Sequence, residues 1–189
     1  MVMNKIQDHI YSYKFPYTNI INKYKSYIID KYSKEFDERI KTGQNFTDLH
    51  FQDTDFTDAI CPSLESIVKK NWYTGDVLVK QGLRVYIQTD THFTSIFHSH
   101  EHLLGSIACV FYVNIPKEGG EIEFEYNGNR EPKGYSEIIK PEEDTLYFFP
   151  MWLPHRPLPH KDKNFTRLCF NWFYCCETRA QHKYFKDIW

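Results

Sequence analysis

No excess of positive charge runs through this sequence. Lys plus Arg number 23 against 25 Asp plus Glu, a formal net charge of −2. That balance offers a phosphate backbone no attracting field and argues against nucleic acid as an electrostatically held partner. The five cysteines, Cys61, Cys109, Cys169, Cys175 and Cys176, are odd in number and contain no C-x-x-C pair. They are therefore not a disulfide framework, and a reducing, cytoplasmic compartment is expected. The first residues, "MVMNKIQDHIYSYKF", lack the apolar run of a signal peptide, and no stretch approaches the ~18 apolar residues of a membrane span. Without secretion, the two "NFT" triplets at Asn45 and Asn164 read as chance matches to a glycosylation acceptor. Internal repeats and low-complexity linkers are also missing. A single domain over 1–189 is expected, large enough to bury a core without staples.

Aromatic residues, by contrast, are abundant at 17%, and they weight the reading toward sheets. Residues 17–42 read as a helix, because Ile20, Ile21, Tyr24, Tyr27, Ile28, Tyr32, Phe36 and Ile40 recur at helical spacing. A second, short helix is expected over "PSLESIVKKNW". From Asp76 the texture changes to short β-forming runs separated by turn signals: "VLVK", "LRVYIQT", "SIACVFYVN", "EIEFEY", "SEIIK", "TLYFFP" and "FTRLCFNWFYC". In "EIEFEY", Glu121, Glu123 and Glu125 face one way and Ile122, Phe124 and Tyr126 the other, as in a strand with one wet face. Strands without helices between them exclude a parallel α/β fold, which needs crossover helices. The expected architecture is mainly β: a double-stranded, jelly-roll barrel over 76–175, with a helical part (1–75) packed outside and a tail (176–189).

The chemistry is concentrated in "FHSHEHLLGSIACVFYVN". His98, His100 and His102 stand at alternate positions and share a face if the stretch is extended. Two such imidazoles can converge on one cation. Three in a row from one strand cannot easily do so, since a strand rises ~3.3 Å per residue. A third ligand must come from elsewhere, and "LYFFPMWLPHRPLPHKD" offers His155, with His160 five residues on. None of His98, His100, His102 and His155 has an Asp or Glu two positions on, so among these candidates the carboxylate of an iron(II) facial triad has no counterpart. His160 reads as a solvated loop residue.

The chain resembles the iron(II)- and 2-oxoglutarate-dependent oxygenases, and most the subgroup with H-x-H, a strand resembling "SGVYYV", a segment resembling "FPSWLPH" and an Arg opening a strand that ends in Phe-Asn. Here "HEHLLGSIACVFYV" (100–113), "PKEGGEIEF" (116–124), "FFPMWLPH" (148–155) and "RLCFN" (167–171) follow in that order. The likeness spans roughly residues 84–174. It implies a double-stranded β-helix, Fe(II) and 2-oxoglutarate as cofactor and co-substrate, and hydroxylation of an amino acid, peptide or other small molecule. Its register implies His100, His102 and His155 as metal ligands. A pair at His98 and His100 lengthens the gap by two residues and is the alternative, with His98 otherwise near the site or at the surface. Arg167 lies where the family holds the distal carboxylate of 2-oxoglutarate, a task suited to a guanidinium that stays charged when buried. The competing reading of Arg167 is a surface residue of an edge strand. Cys169 replaces the family's usual Ser on the same face and is the poorer hydrogen-bond partner. Tyr112 and Tyr147 can add hydroxyls to the pocket.

Two other readings compete. A cupin-type three-histidine metalloprotein would need no 2-oxoglutarate, but its usual Glu a few residues after H-x-H is missing before Glu118. A non-catalytic barrel serving as a binding module would suit the aromatic content and the closing "HKYFKDIW".

Overall fold

The computed structural model describes residues 4–7, 9–14, 49–50, 77–79, 84–88, 96–99, 107–112, 114–126, 135–163, 165 and 167–176, with isolated positions between 22 and 66. Eleven strands follow in chain order: β1 (Asn4–Gln7), β2 (Ile10–Lys14), β3 (Leu49–His50), β4 (Val77–Val79), β5 (Arg84–Gln88), β6 (Ile107–Tyr112), β7 (Ile122–Tyr126), β8 (Tyr135–Ile139), β9 (Thr145–Pro150), β10 (His155–Pro157) and β11 (Arg167–Cys176). They form two antiparallel sheets. The larger has the order β1-β2-β9-β6-β11-β5-β3, with β4 also paired to β11; the smaller has the order β10-β7-β8. The mainly β, antiparallel, jelly-roll-like architecture expected from the sequence is the one observed.

Alternation along the strands builds the core. Ala108, Val110 and Tyr112 of β6, Tyr147 and Phe149 of β9 and Cys169 of β11 point to the same interior as Ile122 and Phe124 of β7 and Ile139 of β8. Phe149 and Phe124 meet edge to face across the gap, with ring centroids 4.9 Å apart. The opposite face of the large sheet is buried as well, at Ile107, Cys109, Phe111, Leu146 and Phe148. Strands buried on both sides need nearly continuous apolar runs, which is what "IACVFY" and "TLYFFP" are.

No strand is expected from the sequence before Asp76, yet β1, β2 and β3 lie there. β2 joins the large sheet beside β9, pairing Tyr13 with Leu146 and Tyr11 with Phe148, and it contributes Ile10 to the core. Of the two expected helices, neither is described as an element. Eight positions from Asn22 to Glu38, together with Pro62 and Ser66, are helical and exposed, and the rest of both segments lies outside the described residues. Among the described residues no helix is long and apolar enough to cross a membrane. The tail beyond Cys176 and residues 127–134 also fall outside the described residues.

Candidate functional site

His155 owes its place to the turn after β9. Leu153 donates its amide to Pro150 O at 3.1 Å, and Met151 and Leu153 are wholly buried, so the chain is pinned as it leaves the large sheet. It then enters β10 with His155 opposite Phe124. Residues directly opposite in an antiparallel pair share a face, and Phe124 faces the core, so His155 does too. The imidazole is buried (7% exposed) against the edge of Phe149, centroids 4.8 Å apart.

On the other side of β10 stands His98. Its amide donates to His155 O at 3.1 Å, and His155 returns the bond to His98 O at 3.0 Å. This closed bridge makes 98 and 155 directly opposed residues, so both rings face the interior. Their centroids are 4.4 Å apart. The two rings are also oriented alike. His155 Nδ1 lies 2.9 Å from Leu153 O, and His98 Nδ1 lies 3.4 Å from Ile96 O. A carbonyl only accepts, so in each contact Nδ1 is the donor, the arrangement in which Nε2 would be the metal-binding nitrogen.

Arg167 opens β11 and, with Cys169, points into the same interior. It is not a surface residue: only 2% of it is exposed. One Nη1 proton goes to Gly120 O at 2.7 Å, and the guanidinium lies 5.8 Å from the Tyr112 ring centroid. Its Nε is fully buried and has no hydrogen-bond partner among the described residues. A buried, unpaired donor on a fixed cation is costly, and a carboxylate is the group that offsets the cost. Gly120 can approach this closely because it lacks a side chain: a Cβ there would stand 2.5 Å from Pro116 Cγ and 3.4 Å from Arg167 Nη1.

The segment 119–124 runs antiparallel to 155–160, with Phe124 opposite His155, and the Gly120 amide bonds Pro159 O. The cation is thus tied at one end of this ladder and the imidazoles stand at the other, about 13 Å apart along the strand direction. Between these ends the interior presents two phenols, Tyr112 and Tyr147, in edge contact at 5.8 Å. Burial pushes the Tyr112 hydroxyl well above its ordinary range despite the opposing pull of Arg167. Burial likewise pushes Tyr147 up to about 12, and Tyr147 accepts the Glu142 amide at 2.9 Å. Both are neutral hydrogen-bonding groups at physiological pH.

Of the sequence candidates, His155 and Arg167 are thus both inside. His100 and His102 lie outside the described residues. His98, ranked behind them in the sequence reading, is the one seen beside His155. Among the described residues no group of three or more His, Cys, Asp or Glu comes together to hold a metal ion. His160 is not solvated: it is 3% exposed, bridged to Gly119 and set edge-on to Phe165 at 5.5 Å. In the sequence Gly120 stands only as part of "PKEGGEIEF", with no partner assigned to it. Its role as partner of Arg167 depends on a contact across 47 residues that no local pattern announces.

No protein-family model matches the chain, and no curated protein matches it in sequence. Solved structures do match in shape. AviO1 from Streptomyces viridochromogenes Tue57 superposes with a TM-score of 0.64 at 8% identity, covering 91% of each chain. SnoN, a non-heme alpha ketoglutarate (2-oxoglutarate) dependent epimerase from nogalamycin biosynthesis, gives 0.62 at 11% identity over 90% of this chain and 79% of its own. A Pseudomonas putida prolyl-4-hydroxylase gives 0.60 at 12% identity over 91% and 95%. The chain shares its fold with these three structures, one of them a non-heme alpha ketoglutarate dependent enzyme. At such low identity the likeness is one of fold, and the site must be judged on its own residues.

Proposed function

We propose that the protein is an Fe(II)- and 2-oxoglutarate-dependent oxygenase, hydroxylating an amino acid, a peptide or another small molecule. The observation that carries this reading is the pairing, inside one interior, of two imidazoles with Nδ1 turned to carbonyls and a buried guanidinium with an unused donor. The donor set fits the cofactors. Neutral imidazoles suit a divalent transition metal, and a buried arginine suits a dicarboxylate.

In this reading His155 and His98 are two of the ligands. The contact between them supports the register in which the H-x-H is His98-Ser99-His100, making His100 the third. The alternative set of His100, His102 and His155 would leave His98 beside a ligand without being one. A metal without a protein carboxylate keeps a higher net charge, which strengthens it as a Lewis acid. When bound, iron and 2-oxoglutarate supply the oxidising chemistry. The chain's own work is to orient, hold and exclude: Arg167 grips the distal carboxylate, Tyr112 and Tyr147 offer neutral hydroxyls, and Phe124 and Phe149 keep water from the imidazoles. Cys169, in place of a serine hydroxyl, leaves Arg167 a larger share of the grip.

The test is succinate formation by anaerobically prepared protein given Fe(II), 2-oxoglutarate and oxygen. Turnover is expected for the natural chain and is expected to fall at least about 100-fold in Arg167→Ala, the scale of removing one partner of a buried charged contact. Iron binding without any 2-oxoglutarate consumption would transfer the chain to the cupin-type reading. Loss of iron affinity in His155→Ala and His98→Ala, with His102→Ala unaffected, would decide the register.

A further inference from the structure

Directly behind the histidine pair, on the outer face of the small sheet, lies a second cluster. Arg156 follows His155 in β10, so alternation turns it outward, opposite Glu123 of β7. Its Nε and Nη2 both reach Glu123 Oε2 at 2.7 Å. The same guanidinium lies 4.3 Å from the ring centroid of Phe97. Phe97 precedes His98 and by the same alternation faces outward when His98 faces inward. One side chain therefore fastens three neighbouring segments: 97–98, β10 and β7. Glu123 is buried as a consequence, against the expectation that all three glutamates of "EIEFEY" lie on a wet face.

This matters because the segment 96–99 meets the small sheet, among the described residues, through the single bridge of His98 and His155. Register there is weakly specified by backbone pairing alone. A slip of one residue turns every side chain to the other face, and would send His98 out and Phe97 or Ser99 in. An arginine plane with an aromatic ring on one side and a carboxylate at its edge resists that slip, because the slip would pull Phe97 off the guanidinium.

We propose that Arg156, held by Glu123 and covered by Phe97, is a positioning residue that locks the register of residues 97–99 and so keeps His98 beside His155. Its functional consequence rests on the reading that this pair binds metal; the lock itself does not. The 189-residue protein tests both. Amide hydrogen exchange on metal-free protein reads the lock, and titration with Co(II) reads the metal site. In Arg156→Gln, protection of the His98 and His155 amides is expected to fall about tenfold, with β6 and β9 amides unchanged. Co(II) affinity is expected to fall about tenfold alongside. Glu123→Gln should act in the same direction, and it keeps the test open if Arg156→Gln does not fold. Arg156→Lys, with charge but no planar fork, should not restore protection. Unchanged protection at His98 and His155 in both Arg156→Gln and Glu123→Gln overturns the lock, whatever the metal result. If the amides respond but the natural chain takes up no Co(II), the lock stands and the metal reading fails.

Discussion

The two sheets solve different problems. In the large one, β6 and β9 are buried at every position, on both faces. In the small one, β7 is buried through Phe124 and then half-open, β8 is largely exposed, and β10 is only three residues long. The large sheet buys its rigidity with apolar area. The small one is held by fewer backbone bonds and by charge, through the Arg156–Glu123 pair and the Lys140 ammonium, which bonds Gly119 O and lies 3.7 Å from Glu121. The candidate chemistry follows that division. Arg167, which needs a fixed frame, opens the longest strand of the large sheet. The imidazoles stand at the edge of the small sheet, where backbone pairing is sparse and a side chain is easily presented to the interior. Rigid elements fix one end of the site and a lightly built edge completes the other.

The sharpest way to break this comparison is to remove a side chain from each sheet. Phe149→Ala should destabilise by about 3–5 kcal/mol, since it opens a cavity among Phe124, His155 and the rest of the core. A thermal midpoint lowered by about 10 °C or more would register it. Glu125→Ala, on the outer face of β7, should change stability by no more than about 0.5 kcal/mol. Comparable losses at the two positions would mean that the small sheet is as much a load-carrying core as the large one.

Sequence legibility followed the same line. "IACVFY" and "TLYFFP" are readable as strands because burial on both faces demands long β-forming runs, and β9 begins and ends where the run does. β10 is unreadable for the opposite reason: three residues, His155–Pro157, directly after Pro154 have no periodicity to detect. β2 was within reach, since "IYSYK" is a β-forming stretch, but the helical pattern that follows drew the whole N-terminal part into one class. At the site, His155 and Arg167 could be chosen from residue type and order along the chain. The company His98 keeps could not, because register is decided by Phe97, Arg156 and Glu123, which meet only after folding. Gly120 was hidden for the same reason: composition marks "GG" as a turn without saying which distant side chain leans on it.

Gly120 sharpens the comparison at the seam between the sheets. Both Gly119 and Gly120 adopt left-handed backbone angles, at φ 75 and 73. Gly119→Ala would bring a Cβ to 2.5 Å from Pro159 O and 2.8 Å from His160 Cα, and Gly120→Ala would press on Pro116 and Arg167. Each should cost about 1–3 kcal/mol in stability. Only Gly120→Ala should also raise the KM for 2-oxoglutarate, because it displaces the carbonyl that anchors Arg167. Equal effects of the two on KM would detach Arg167 from co-substrate binding.

The smallest effect concerns the phenol that β9 places in the shared interior. Burial holds Tyr147 neutral up to about 12, whereas in the unfolded chain its hydroxyl ionises at the ordinary tyrosine value of 10.0. A raised folded value means that the stabilising contribution is complete below about pH 10 and is lost as pH climbs toward 12, because the unfolded state releases its proton first. At pH 11 the loss is about 1 kcal/mol. Tyr147→Phe lacks the titration but also lacks the bond from the Glu142 amide, so it should be less stable than the natural chain near pH 7 by about 1 kcal/mol. Denaturant unfolding at both pH values should therefore show the gap between the two proteins closing as pH rises to 11. A gap that stays constant would mean that the Tyr147 hydroxyl reaches water, and that the interior between the sheets is wetter than its aromatic walls imply.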